Sequence, residues 1–306
     1  MFKFLPKILI ILTLLIMLVG CSTKKLYTMA INYERNDAGL EKKSIKLDFG
    51  EIVYLENSIK SDTTVVLLHG FGADKDNWNR FVAELNNKYH IIALDLPGHG
   101  ESVSTKTLGY TITHHAEMLD IFLKAKNINK IDLVGNSMGG AIALKYSDSH
   151  KNVNTLTLID SLGMIKTKSK LELFIDKSGK NPFLNVCTED AFNTLLHFGM
   201  EKPPYIPSIF MDILVSKKCI RTDIEKIMYD ELFSDSNLSD IAKRLKTRTL
   251  IMWGKKDSVL HINNAKLFSD TIKDSQLVIF DELGHVPFLE NPEITAEVFK
   301  KFIEEH

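Results

Sequence analysis

The residues best placed to do chemistry in this chain of 306 residues stand in the stretch Gly135-Asn136-Ser137-Met138-Gly139-Gly140. One hydroxyl sits among three glycines, after the apolar run 131–134 and before a helix-like segment. Glycine weakens strands and helices, so glycines this closely spaced mark a place where side-chain bulk is excluded. The pattern is G-x-S-x-G, in which a serine rides on a sharp strand-to-helix turn with its hydroxyl exposed. A turn that only needs tight packing would read the same over these few residues. Partner residues elsewhere decide between the two.

A serine hydroxyl is nearly inert at neutral pH, so it needs a base, and the base needs an orienting acid. His285 follows the apolar run 276–280, in Asp281-Glu282-Leu283-Gly284-His285. Asp257 follows the run 249–253, in Gly254-Lys255-Lys256-Asp257. Both stand just after predicted strands, where side chains reach the crevice at strand ends. Asp160, which closes the run 155–159, is the rival acid, and Asp257 is preferred. An acyl-transfer intermediate also needs two fixed backbone donors for its oxyanion. The N–H of Met138 is one, and that of Phe71, in His69-Gly70-Phe71-Gly72, is the other. Such a set points to attack by Ser137 on an ester carbonyl, through an acyl-enzyme.

The elements that must hold these groups alternate regularly. Apolar runs at 64–68, 90–94, 131–134, 155–159, 249–253 and 276–280 read as strands; helix-like segments at 78–85, 111–126 and 137–146 separate the first four. Continuous β-branched runs between helices mean a mostly parallel sheet covered on both faces, an α/β fold. Runs 45–49 and 52–55 flank Gly50 as a hairpin. Residues 162–248 contain no such strand; they read as helices rich in phenylalanine and methionine, broken by Pro203-Pro204 and Pro207. An insertion at strand carboxyl ends lies over the crevice, so a helical cap is expected rather than an unrelated second domain. The division expected is a leader at 1–20, a polar tether at 21–43, an α/β core at 44–161 and 249–306, and the cap at 162–248.

Taken together, His69-Gly70-Phe71-Gly72, Asp95-Leu96-Pro97-Gly98-His99-Gly100-Glu101-Ser102, the Ser137 turn, Asp257 and Gly284-His285 resemble the α/β-hydrolase superfamily over about residues 45–305. Within it the chain is similar to cap-bearing bacterial lipases and monoacylglycerol lipase-like esterases. The resemblance implies the α/β-hydrolase fold, the triad order Ser137, Asp257, His285, and an acyl ester or lipid as substrate. Haloalkane dehalogenases and epoxide hydrolases of this fold carry Asp where Ser137 stands. Carbon–carbon bond hydrolases usually carry Trp after the histidine, where this chain has Val286-Pro287. Other readings are such a carbon–carbon hydrolase, a cofactor-free haloperoxidase, or a surface lipid-binding lipoprotein on an inactive scaffold.

His69 and His99 fit structural roles in turns, and His114-His115 point to different sides of a helix. No His, Cys or Asp residues have metal-ligand spacing along the chain, so neither metal nor cofactor is expected. A formal net charge of −1 with no basic stripe argues against nucleic acid. Oligomeric state has no signature here.

At the N-terminus, Lys3 and Lys7 precede the run 8–19, apolar but for Thr13, which meets Gly20-Cys21-Ser22. A bilayer-spanning helix needs about 20 residues, so this run suits a signal-peptide core. Leu18-Val19-Gly20-Cys21 resembles the lipobox of bacterial lipoproteins, which implies that Cys21 is lipidated and begins the mature chain. An exported protein held on a membrane is expected, on the outer membrane where a cell has two. Cys187 and Cys219 could then pair or remain two buried thiols.

Overall fold

The computed structural model describes residues 23–305; Cys21 and the run before it lie outside them. Eight strands form one sheet: β1 (Glu41–Leu47), β2 (Gly50–Glu56), β3 (Thr64–Leu68), β4 (His90–Leu94), β5 (Ile131–Asn136), β6 (Val153–Ile159), β7 (Thr249–Gly254) and β8 (Ser275–Phe280). Their order is β1-β2-β4-β3-β5-β6-β7-β8. The hairpin β1–β2 is antiparallel and joins β4 antiparallel at one edge; all other pairs are parallel. Because β3 pairs with β4 on one side and β5 on the other, the winding reverses there. A crevice opens outside the carboxyl ends at such a point.

The described helices are α1 (Thr23–Asp37), α2 (Asn79–Ala83), α3 (Ile112–Ala125), α4 (Met138–Ser149), α5 (Lys170–Ser178) and α6 (Glu189–Gly199). They continue with α7 (Met211–Cys219), α8 (Thr222–Leu232), α9 (Ser239–Arg244), α10 (Asn263–Thr271), α11 (Pro287–Glu290) and α12 (Pro292–Glu304). Alternate strand residues serve two cores. Val65, Leu67, Ile91, Ala93, Leu250 and Met252 meet Trp78, Phe81, Phe288 and Phe299 from α2, α11, α12 and the turn before α2. Val66, Leu68, Ile92, Leu94, Leu133 and Ile251 meet residues of α3, α4 and α10 on the opposite face. Burial on both faces is why these strands read as unbroken apolar runs.

The stretch expected as a tether is helical from Thr23 to Asp37. Leu26, Tyr27, Ala30, Ile31, Glu34 and Arg35 form its half-buried stripe, a helical spacing that a reading by polar composition passes over. Ion pairs Arg35–Asp76 (2.6 Å) and Glu34–Arg80 (2.6 Å) hold it to the segment before and within α2. Ala38 and Leu40 are already core residues, so the α/β core begins earlier than residue 44.

Between β6 and β7 come the helices α5 to α9. Val186, Phe192 and Met211 give the insertion a small core of its own. Its last helix differs: Ile241 and Ala242 of α9 join the main core beside α4. Cys187 and Cys219 are joined as a disulfide, their Cα atoms 4.5 Å apart, which ties the loop before α6 to the end of α7. Among the described residues no helix is long and apolar enough to cross a membrane.

Candidate active site

Ser137 stands between β5 and α4 with φ 55° and ψ −116°. A residue with a β-carbon is strained there, by about 1–3 kcal/mol. The backbone around it over-determines the turn. Ser137 N–H donates to the Ile159 carbonyl (3.0 Å), and its own carbonyl accepts from Leu162 N–H (3.0 Å). The flanking glycines permit the close approach that this requires. A β-carbon on Gly135 would overlap the Gly139 carbonyl, and one on Gly139 would overlap the carbonyls of Leu68 and His69. Strand, helix and the end of β3 therefore meet backbone to backbone under the serine.

His285 Nδ1 lies 2.8 Å from Asp257 Oδ2, with both side chains buried. Asp257 Oδ1 accepts from Val259 N–H (2.7 Å) and Leu260 N–H (2.9 Å). An ionised carboxylate can only accept, so Nδ1 carries the proton and Nε2 is left with a lone pair, as a base requires. The two loops approach closely because Gly254 has no side chain; a β-carbon there would overlap the Gly284 carbonyl. His285 is further fixed from both sides. Asn136 Nδ2 donates to the carbonyls of His285 (3.1 Å) and Ile159 (3.1 Å). Glu290 accepts from Gly284 N–H (2.9 Å) and from Glu201 and Lys202 N–H (3.1 and 2.9 Å), joining the histidine loop to the insertion.

The loop carrying Phe71 is braced from behind. His69 Nε2 accepts from Leu96 N–H (3.0 Å), so its proton lies on Nδ1, 2.8 Å from the Gly70 carbonyl. Burial lowers the His69 pKa to about 4, which keeps the ring in that neutral form. Lys75 follows the loop and pairs with the buried Asp95 (2.8 Å) and with Glu101 (2.9 Å). Asp95 also accepts from the N–H groups of Lys75 (2.8 Å) and Glu101 (2.8 Å). From the insertion, Tyr229 packs edge-on against the Phe71 ring.

Gly70, Phe71, Ser137, Met138 and His285 line one cavity of about 290 Å³. Its walls are apolar and come largely from the insertion, with Ile165, Leu171, Ile175, Phe183, Leu232 and Phe233. A wider, more polar cleft of about 750 Å³ lies behind the Phe71 loop, between α1 and α7, and contains none of Ser137, Asp257 or His285. The residues expected for catalysis thus converge, with a hydroxyl and an imidazole on one cavity wall and the acid bonded behind the imidazole.

Asp160 is drawn into the same place. It is fully buried, and one ligand atom each from Asp160, Asp257 and His285 all fall within 4.8 Å of one another. Spacing along the chain shows no such cluster, because its members leave three different strands. Of the two carboxyl groups, it is Asp257 that bonds His285 Nδ1. Glu290 and Lys75 carried no sequence signal, and Asn136 and Asp95 stood in motifs that gave no hint of their partners, since each bond is made only when distant loops meet.

A family model described as the alpha/beta hydrolase fold matches residues 63–292. Lipase 1 of Psychrobacter immobilis is 33% identical over 298 residues, which cover 93% of each chain. The monoacylglycerol lipase abhd6-A of Xenopus laevis is 28% identical over 252 residues, 78% of this chain and 75% of that one. A solved bacterial membrane phospholipase A matches with a TM-score of 0.90 at 33% identity, over 100% of this chain and 99% of its own.

Proposed function

Because this chain belongs to the α/β-hydrolase fold family and is a carboxylic ester hydrolase of the lipase type, we propose that Ser137, His285 and Asp257 are its catalytic triad. The observation that carries this reading is the 2.8 Å bond from His285 Nδ1 to Asp257, made beside a cavity that Ser137 shares with His285. Ser137 Oγ attacks the ester carbonyl as its proton passes to His285 Nε2. Asp257 holds the ring and offsets the imidazolium charge. The amides of Phe71 and Met138 bind the oxyanion; both residues line the cavity and neither amide has an acceptor among the described residues. The imidazolium then protonates the leaving alcohol, and water repeats the cycle on the acyl-enzyme.

At about 290 Å³ the cavity lies just below the range usual for small-molecule sites, about 300–1,000 Å³. Its apolar lining suits an acyl chain, and esters bearing a single chain, such as monoacylglycerols, are the substrates expected. Labelling by a fluorophosphonate and hydrolysis of nitrophenyl esters should both vanish in Ser137→Ala while the melting temperature holds. Retained turnover in that variant would remove Ser137 from the mechanism.

The run 8–19 and Cys21 support a lipid-anchored, exported protein, placed on the outer membrane where two membranes exist. Metabolic labelling with a fatty-acid analogue should then mark the wild-type protein and leave Cys21→Ser unmarked. A wild-type protein that takes up no label argues for an uncleaved anchor instead.

A further inference from the structure

Asp160 sits where the reading of Ser137, His285 and Asp257 as a triad leaves one carboxyl group too many. It follows β6 directly, and its N–H donates to the Met252 carbonyl (3.0 Å). Its Oδ1 accepts from Gly254 N–H (2.9 Å), at the start of the Asp257 loop. Its Oδ2 is buried and has no partner that donates to it. The groups facing it are the carboxylates of Asp257 and Glu290 and the His285 ring; no lysine or arginine lies within ion-pair distance of it among the described residues.

We propose that Asp160 is held as a neutral carboxylic acid whose Oδ2–H donates to Asp257, making it the positioning residue for the acid of the triad. The proposal rests on the triad reading above. Two carboxylates sharing a dry site do not both ionise. Asp257 has two backbone N–H groups and the imidazole to stabilise its charge, whereas Asp160 has one N–H. The proton therefore stays on Asp160. Burial, followed by the neighbouring Asp257 charge, moves its pKa in that same direction, well above the ordinary carboxylate range. An orphaned Oδ2 then becomes a donor, and Asp257 still has accepting capacity, since a carboxylate offers about four lone-pair sites.

The consequence is chemical. With Asp160 neutral, the Asp257–His285 pair passes from one negative charge to net zero when the imidazole takes the serine proton. With Asp160 ionised, a second negative charge would favour imidazolium in the resting enzyme and remove the base. Asp160 acts through Asp257 and touches neither substrate nor reacting atoms.

Asp160→Asn tests this, because its amide can accept from Gly254 N–H and donate to Asp257 as the acid does. Asp160→Ala removes the donor. The Asn variant is expected to keep kcat/KM within about threefold and to leave the acidic limb of the pH profile in place. The Ala variant is expected to lose about 10- to 100-fold in kcat, the size of effect seen when the hydrogen-bond partner of a metal-ligating side chain is removed, with KM little changed. Infrared spectra of the wild-type protein at neutral pH should contain a protonated carboxyl band that the Asn variant lacks, a readout that does not need the Ala variant to fold. Loss of activity of a hundredfold or more in Asp160→Asn, or absence of that band, overturns the proposal. An Ala variant with wild-type kcat also overturns it. Fluorophosphonate labelling of wild type reports separately on the triad: a protein that does not label at Ser137 sinks the triad reading, whereas one that labels but fails the Asp160 tests sinks only this inference.

Discussion

Asp257→Asn isolates the orienting acid with almost no change in shape. Oδ1 of Asp257 accepts from Val259 and Leu260 N–H at 2.7 and 2.9 Å, so in the variant the amide oxygen must occupy that position. The amide NH2 then faces His285. The reverse orientation would leave two buried N–H groups facing another donor, at about 1–3 kcal/mol each. With a donor opposite Nδ1, the imidazole must turn its lone pair to Nδ1 and carry its proton on Nε2, toward Ser137. The base is lost while the geometry survives. A substitution that fixes the wrong tautomer lowers turnover by about 10⁴, or about 5.4 kcal/mol of barrier. Stopped-flow hydrolysis of a nitrophenyl ester should show the acyl-enzyme burst slowed by about that factor, with a melting temperature close to wild type because the hydrogen-bond count is preserved. A loss smaller than about tenfold would falsify the assignment of Asp257 and redirect attention to Asp160, the other carboxyl group with an oxygen within 4.8 Å of a His285 ring nitrogen.

Two other perturbations follow from the same contacts. Asn136→Ala deletes the Nδ2 bonds to the Ile159 and His285 carbonyls; a stability loss of about 1–3 kcal/mol is expected, together with a fall in kcat because the histidine loop loses its tie to the serine strand. Wild-type kcat in that variant would show the tie to be structural only. Acid should destabilise the protein early. Burial lowers His69 to about 4 and His115 to about 3, from an ordinary 6.5, so the folded state binds fewer protons than the unfolded one. Their contribution is complete above about pH 6.5 and is lost as pH falls toward those values, at about 1.4 kcal/mol per pH unit for each ring. Urea midpoints at pH 7, 5.5 and 4.5 measure it, and a flat series would show that these rings titrate normally.

Much of the architecture was legible because its causes are local. Val65 to Leu68 are buried on both faces of the sheet, and burial on both faces writes itself into sequence as an unbroken apolar run. The glycines around Ser137 were legible for a similar reason: a strained turn with backbone pressed on backbone excludes β-carbons at fixed offsets. α1 was misread as a tether because its stripe is only half-buried, and its polar residues become meaningful only once Asp76 and Arg80 are beside them. The disulfide was undecidable for the same reason, since spacing along the chain does not report whether two cysteines meet.

By itself the sequence determined which residues could be nucleophile, base and acid, and that each stands at the end of a strand. Only the tertiary structure decided how they combine. The order β5-β6-β7-β8 sets four strand ends side by side, bringing Ser137, Asp160, Asp257 and the His285 loop together. That adjacency gave His285 to Asp257 and left Asp160 buried against it. Strand order is a property of long-range pairing, and no local period or motif encodes it.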